Sequence, residues 1–335
     1  MQTARAWRRL AHSKTSHDIL TEQFILVALN GLVYGLLLFM LSSGLTLIFG
    51  MMGVLNLAHA SFYMLGAYFA YTVSRYVGFW PGLVVAPLLV GLLGAVVERY
   101  GLRAVHKHGH MAELLFSFGL AFVIGEVVPL IWGRNPVPYV VPPALDFTLF
   151  YVGATSYPAY RVFMMAVSLA MFVALFAALA RTRLGLIVRA ALTHPDMVSM
   201  LGHDVPRVFT LVFGAGCALA GLAGVIAGNA FTTQPGMAAS LGAIVFAVVV
   251  MGGLGSIWGA FVASIFIGLV QTVSISLDLP LWKAFTALGL TVDPAGRLTD
   301  LWNLTIARAA PTIPYLLLVL MLAFRPKGLA GSRSA

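Results

Sequence analysis

Charge is scarce in this sequence. Of its 335 residues only 9% are charged, 20 basic against 11 acidic, while 60% are hydrophobic. A soluble domain needs roughly 25% charged residues to wet its surface. The two soluble domains that length alone suggests are therefore excluded. So are a disordered chain and a disulfide-stapled secreted domain. Cysteine is almost missing: Cys217 stands alone inside an apolar run, which leaves no internal disulfide and no cysteine-built metal site. Catalytic signatures are missing as well. The chain contains no G-x-S-x-G, H-E-x-x-H, P-loop or G-x-G-x-x-G, so it offers no recognisable route to hydrolysis, zinc chemistry or nucleotide binding. Neither a cofactor nor an enzymatic activity is expected.

What is present is apolar length. Mean hydropathy is +0.95, and at roughly 20 residues per membrane span the apolar content sets a ceiling of about ten spans. Apolar runs lie near 24–49, 54–74, 80–97, 113–133, 159–180, 208–232, 241–255, 257–277 and 312–324. Each predicts a helix, because lipid supplies no partner for backbone N–H and C=O groups. The fold expected is all-α and polytopic, with eight to nine membrane helices.

The net charge of +9 reads as topology rather than as nucleic-acid binding. Arg99, Arg103 and Lys107 collect in one short connection, and Arg181, Arg183, Arg189 and Arg207 in another. Basic short loops mark the cytoplasmic side. The Pro-rich 134–158 connection and the 278–311 connection, which holds Trp282, Lys283, Asp293, Arg297, Asp300, Trp302 and Arg308, are then external. Counting back through nine runs puts the N-terminus outside, against the preference of Arg5, Arg8, Arg9 and Lys14 for the inside. The apolar run behind that basic tail is too long for a cleaved signal, and no A-x-A-like site follows it.

Two helices read as broken. At 50–66 the sequence GMMGVLNLAHASFYMLG sets Gly50, Gly53, Asn56 and His59 among apolar residues. At 252–260 the sequence GGLGSIWGA places Gly252, Gly253, Gly255 and Gly259 within eight positions, each costing about 1 kcal/mol in a helix interior. Paired interruptions in the two halves point to an internal duplication and to a pathway lined by unwound backbone. Asn56, His59 and Ser61 in the first break, and Gly252, Gly253, Gly255 and Ser256 in the second, are the pathway candidates. For Asn56 and His59 two readings stand, lining a pore or bonding to backbone that the break exposes. Glu126 is a further candidate, since a carboxylate within a span is costly; the alternative is a place near the outer end, facing a wet vestibule or pairing with Arg134. Gly216, Ala220, Gly224 and Gly228 form a smooth stripe suited to close helix packing, within the chain or with a second subunit. Gly31 and Gly35 repeat it in the first span. His106, His108 and His110 read as members of a solvated loop.

The stretch 182–207 is the most informative. Thr193 and Asp196 form a capping-box-like pair, and Pro195 fits the first turn. Met197, Met200 and Leu201 share a face, and Gly202 suits a left-handed end. The result is a short cytoplasmic helix with an adaptable apolar face, fit for a partner's groove or for the lipid surface.

These residues resemble a family. The stretches SSGLTLIFGMMGVLNLAHASFYMLGAY, TRLGLIVRAALTHPDMVSMLGHDVPRV, VVVMGGLGSIWGA and IPYLLLVLMLAFRPKGL are similar to those of permease subunits of bacterial ABC importers for branched-chain amino acids, of the smaller, LivH-like type. Ala60-Ser61 and Trp258 stand where that family often has Gly-Glu and Pro. The resemblance implies a second homologous permease subunit, two cytoplasmic ATP-binding subunits, a periplasmic substrate-binding protein and residence in the bacterial inner membrane. It makes the helix from Thr193 to Gly202 the ATPase-coupling element. The implied layout is a basic tail at 1–20, a transmembrane permease domain at 21–325 and a cytoplasmic tail at 326–335. The default cargo is branched-chain amino acids, with urea or short amides as the alternative. An ion-coupled secondary transporter is the rival outside the family, and it would need paired intramembrane carboxylates where Glu126 stands alone.

Overall fold

The structure, a computed structural model, describes residues 16–193, 195–287, 302–325 and 328–330. In chain order its helices are α1 (Ser16–Met52), α2 (His59–Val77), α3 (Phe79–His106), α4 (His110–Trp132), α5 (Ala159–Arg181), α6 (Arg183–Thr193), α7 (Pro195–Met200), α8 (Val205–Ala230), α9 (Met237–Gly252), α10 (Ile257–Ser276), α11 (Leu281–Ala287) and α12 (Ile306–Phe324). One antiparallel hairpin, β1 (Thr148–Val152) with β2 (Thr155–Pro158), joins α4 to α5.

Seven of these helices (α1, α3, α4, α5, α8, α10 and α12) are long and apolar enough to cross a membrane. Two more complete the expected series. Helix α9 is apolar but only 16 residues long. Helix α2 has 19 residues yet carries His59, Ser61, Thr72, Ser74 and Arg75. Its composition has a physical cause: residues 59–68 are all buried inside the protein, so lipid does not dictate what they are.

Small residues set the packing. A Cβ on Gly44 would lie 2.3 Å from the Gly216 carbonyl oxygen, and one on Gly224 only 2.0 Å from that of Tyr63. The glycine stripe of α8 therefore seats α1 and α2 of the same chain, and the choice of neighbour left open by the sequence is settled. A Cβ on Gly268 would meet Gly35 Cα at 2.4 Å, so the Gly31/Gly35 pair seats α10. Around this inner set, α3, α4, α5 and α12 turn Leu88, Leu92, Leu115, Val173 and Leu316 outward, as helices facing lipid or a membrane partner do.

The bundle has two distinct ends. At one, Met52, Glu98, Arg103, His106, Glu113 and Pro206 surround a small cavity, which brings the last turns of α1 and α3 beside the first turns of α4 and α8. At the other lie the hairpin, the Val137–Thr233 bridge and the Pro280–Thr305 bridge. Asn30 of α1 accepts a hydrogen bond from Arg161 at the start of α5, 2.5 Å away, so α1 begins toward the hairpin end and finishes among the basic connections. The tail 1–15, residues 288–301 of the 278–311 connection, and residues 326–327 and 331–335 lie outside the described part.

Candidate functional site

The first break forms where Gly53 takes a positive φ of 64° and the helix cannot continue. Asn56 then accepts the Ala58 N–H on its side-chain oxygen at 3.0 Å, while its backbone carbonyl accepts the His59 N–H at 3.1 Å. This local ring turns the chain into α2. Ser117 on α4 holds the break from outside: its hydroxyl accepts the Leu57 N–H at 3.2 Å and lies 3.0 Å from the Leu114 carbonyl. His59 reaches across to the Leu41 carbonyl, 2.9 Å from its Nε2. A carbonyl only accepts, so Nε2 carries the hydrogen and Nδ1 is left as an acceptor when the ring is neutral. Gly44 makes room for the ring, since a Cβ there would sit 2.9 Å from His59 Cε1.

Beside this break lies a cavity of about 640 Å³. Asn56, His59, Ser61 and Glu126 all border it, with Met64, Phe118, Phe122, Phe246 and Leu318 as apolar wall and Tyr315 from α12. Asn56 and His59 are fully buried, and their Nδ2 and Nδ1 atoms have no hydrogen-bond partner. Glu126 is exposed on α4 and makes no hydrogen bond or ion pair with any described residue. The alternative pairing with Arg134 is not formed. Four residues picked from two separate apolar runs thus share one space.

The second break is built differently. Gly253 and Gly255 take φ of 100° and 85°, but the space around them is filled. A Cβ on Gly252 would lie 2.5 Å from Ala260 N, and one on Gly259 only 1.8 Å from the Gly252 carbonyl oxygen. The tail closes over it: Leu329 and Ala330 donate N–H groups to the Met251 and Gly252 carbonyls at 2.8 and 3.1 Å. Ser256 caps α10 by accepting the Gly259 N–H at 3.1 Å. Gly255 and Ser256 border a separate cavity of about 320 Å³ with Thr46, Gly50, Arg189 and Trp258. The structure does not bring Gly252, Gly253, Gly255 and Ser256 to the cavity of the first break.

Helix α7 ends as its sequence predicts. Gly202 takes φ 85°, with Gly202 N–H on the Ser199 carbonyl at 3.0 Å and His203 N–H on that of Val198 at 3.2 Å. These are the paired bonds of a Schellman end. Met197, Met200 and Leu201 are 64%, 86% and 78% exposed, whereas Val198 is buried against Ala191 and Val205. The side chains of Thr193 and Asp196 lie outside the described part, and so does the capping pair expected of them.

The loop histidines are exposed, as expected of a solvated loop, but two of them have a partner that the sequence reading did not give them: the ring Nδ1 atoms of His106 and His110 both contact the Glu113 carboxylate, that of His110 at 3.1 Å. Glu113 is buried. The i,i+3 spacing of His110 and Glu113 was the available signal. Glu98 is a second buried carboxylate, held by Arg103 at 3.0 Å and by the Thr210 hydroxyl at 2.6 Å. Sequence reading misses it because a π-turn at Glu98–Leu102 aligns partners five apart rather than four.

The chain is similar in sequence to known proteins. The family described as branched-chain amino acid transport system / permease component matches residues 27–292. The high-affinity branched-chain amino acid transport system permease protein LivH of Salmonella typhimurium is 27% identical over 275 residues, covering 76% of this chain and 88% of that protein. BraD of Pseudomonas aeruginosa, of the same description, is 24% identical over 316 residues, 90% of this chain and 94% of its own. LivM of Escherichia coli is 27% identical over 250 residues, 67% and 58% respectively. A solved structure, PsaBC from Streptococcus pneumoniae in complex with Fab, overlaps 89% of this chain and 91% of its own with a TM-score of 0.44 at 11% identity, too distant to argue from. With most of its length matched, the chain belongs to the branched-chain amino acid transport system permease family and is a multi-pass membrane protein.

Proposed function

We propose that the chain is a non-catalytic permease subunit of an ABC importer in a bacterial inner membrane. It carries branched-chain or related amino acids that a periplasmic binding protein delivers. It pairs with a second homologous permease, and ATP hydrolysed on two cytoplasmic subunits drives it. The basic connections and the end of α1 at Met52 face the cytoplasm; the hairpin and the 278–311 connection face the periplasm. Residues 21–325 form the transmembrane domain between the 1–20 and 326–335 tails.

The observation that carries this reading is the face of α7. Three large apolar side chains project from a helix that its Schellman end and Val198 hold in place. Their burial in a groove contributes roughly 1.5–3 kcal/mol each. An adaptable methionine-bearing face on a braced helix suits docking into another protein. The coupling residues on this reading are Thr193, Asp196, Met197, Met200, Leu201 and Gly202.

The test is co-purification. Leu201→Asp puts an unpaired charge into the contact. The variant is expected to insert normally, to keep its permease partner and to lose the ATPase. Gly202→Val is expected to weaken coupling through strain at a positive φ. Full ATPase retention and full substrate-stimulated hydrolysis in both variants would sink the coupling assignment.

A further inference from the structure

We infer that Glu126 is the residue that reads the ammonium group of the cargo, in the cavity beside the first break. The inference rests on the permease reading and adds a site to it.

Glu126 sits six residues before the end of α4 at Trp132, about 9 Å along the helix axis. That depth is inside the apolar stretch of a span-length helix. A carboxylate there is expensive unless it meets a cation, a donor or water. Within the described chain it meets no partner, and no Lys or Arg borders the cavity. The remaining polar groups on the wall are Asn56, His59, Ser61 and Tyr315. The cavity therefore has one fixed negative charge and no fixed positive one.

The neutral groups are held in place. Asn56 is oriented by the Ala58 N–H on its oxygen, which leaves Nδ2 a donor without an acceptor. His59 is anchored on Leu41, which leaves Nδ1 an acceptor without a donor. Buried polar atoms are seldom left unpaired. A guest with a primary ammonium answers the carboxylate charge, and a guest with a carboxylate or amide oxygen answers Asn56. The rest of the wall is aromatic and aliphatic, fit for a branched hydrocarbon side chain. Sites of this kind are mostly apolar with a few polar groups that fix orientation. A neutral amide such as urea can donate N–H groups to Glu126 but leaves its charge uncompensated, so the cavity favours an amine-bearing cargo.

The experiment uses the assembled importer in nanodiscs. Cys217→Ala removes the buried natural thiol, and Ala239→Cys adds a reporter on the cavity wall. Maleimide labelling of that thiol is timed with leucine, with 3-methylbutylamine, which keeps the ammonium and lacks the carboxylate, and with 4-methylpentanoate, which does the reverse. Leucine and the amine are expected to slow labelling; the acid is not. Glu126→Gln is expected to weaken protection by the amine about tenfold or more, the loss of one charge-assisted bond. Glu126→Asp is expected to keep part of it. Equal protection by amine and acid, or full protection by the amine in Glu126→Gln, overturns the assignment. Protection by none of the three, in an importer that takes up leucine, overturns it while leaving the permease reading intact. An importer that takes up no amino acid, yet shows amine protection lost in Glu126→Gln, overturns the permease reading and keeps the site.

Discussion

The two breaks carry the same signature, glycines interrupting an apolar run, and the chain uses them in opposite ways. At Gly53 nothing lies within 4 Å of an added Cβ, and the residues that follow are polar and border a cavity. At Gly252 and Gly259 an added Cβ meets backbone at once, and the tail covers the break. The first break opens onto the larger cavity, whereas the second is packed tight at Gly252 and Gly259 and reaches a smaller one through Gly255 and Ser256. They also touch, since a Cβ on Gly50 would lie 2.9 Å from Gly255 Cα. Glycine content reports that a helix is interrupted. The side chains after the interruption, and what backbone arrives from elsewhere, decide what the interruption is for.

That contrast is breakable by substitution. The largest effect is expected from Gly259→Leu, whose Cβ would sit 1.8 Å from a carbonyl oxygen. Rigid backbone cannot yield there, so the cost is about 3 kcal/mol or more, seen as loss of a monodisperse complex or a large drop in Tm. Gly255→Ala comes next. It combines a φ of 85° with a 2.9 Å approach to Gly50, and a cost of about 2 kcal/mol is expected.

Ser117→Ala tests the brace on the first break. It leaves the Leu57 N–H without its acceptor, for about 1–2 kcal/mol in thermal stability and a slower uptake. Gly53→Ala has conformational strain alone to overcome, about 1 kcal/mol; a cost equal to that of Gly255→Ala would erase the distinction between the breaks. Smallest in stability is Gly125→Leu. Its Cβ meets nothing within 4 Å and it borders the first cavity. Melting should be unchanged while uptake falls, because the added side chain fills the cavity. A variant that melts as wild type and transports as wild type would place the path elsewhere.

Much of this was legible in the sequence because lipid imposes simple rules. Each of the nine apolar runs holds a helix, seven of them long and apolar enough to cross a membrane, and both breaks fell where glycine clusters predicted. Asn56, His59, Ser61 and Glu126 were legible one at a time, as polar residues out of place among apolar ones. Their meeting in one cavity was not, because α4 reaches α2 through tertiary packing that no local spacing encodes. Tyr315 gave no signal, being one more aromatic in an apolar helix. The filling of the second break was hidden for a further reason: what fills it is the main chain of residues 328–330, and backbone donors leave no mark in residue identity. The burial of Glu113 and Glu98 was obscured because charged residues near helix ends ordinarily face water.

The tail contact has a consequence for how the protein is made. The carbonyls of Met251 and Gly252 belong to the ninth helix, yet the N–H groups that satisfy them come from Leu329 and Ala330. During synthesis every membrane helix is already made before those donors exist. Domains fold as the chain emerges, at about 5–20 residues per second, so the second break stays uncapped until Leu329 and Ala330 have been made. A chain stopped at Arg325 would hold every described helix and still leave these two carbonyls bare at a helix end, so truncation there is expected to lower thermal stability without removing a single span.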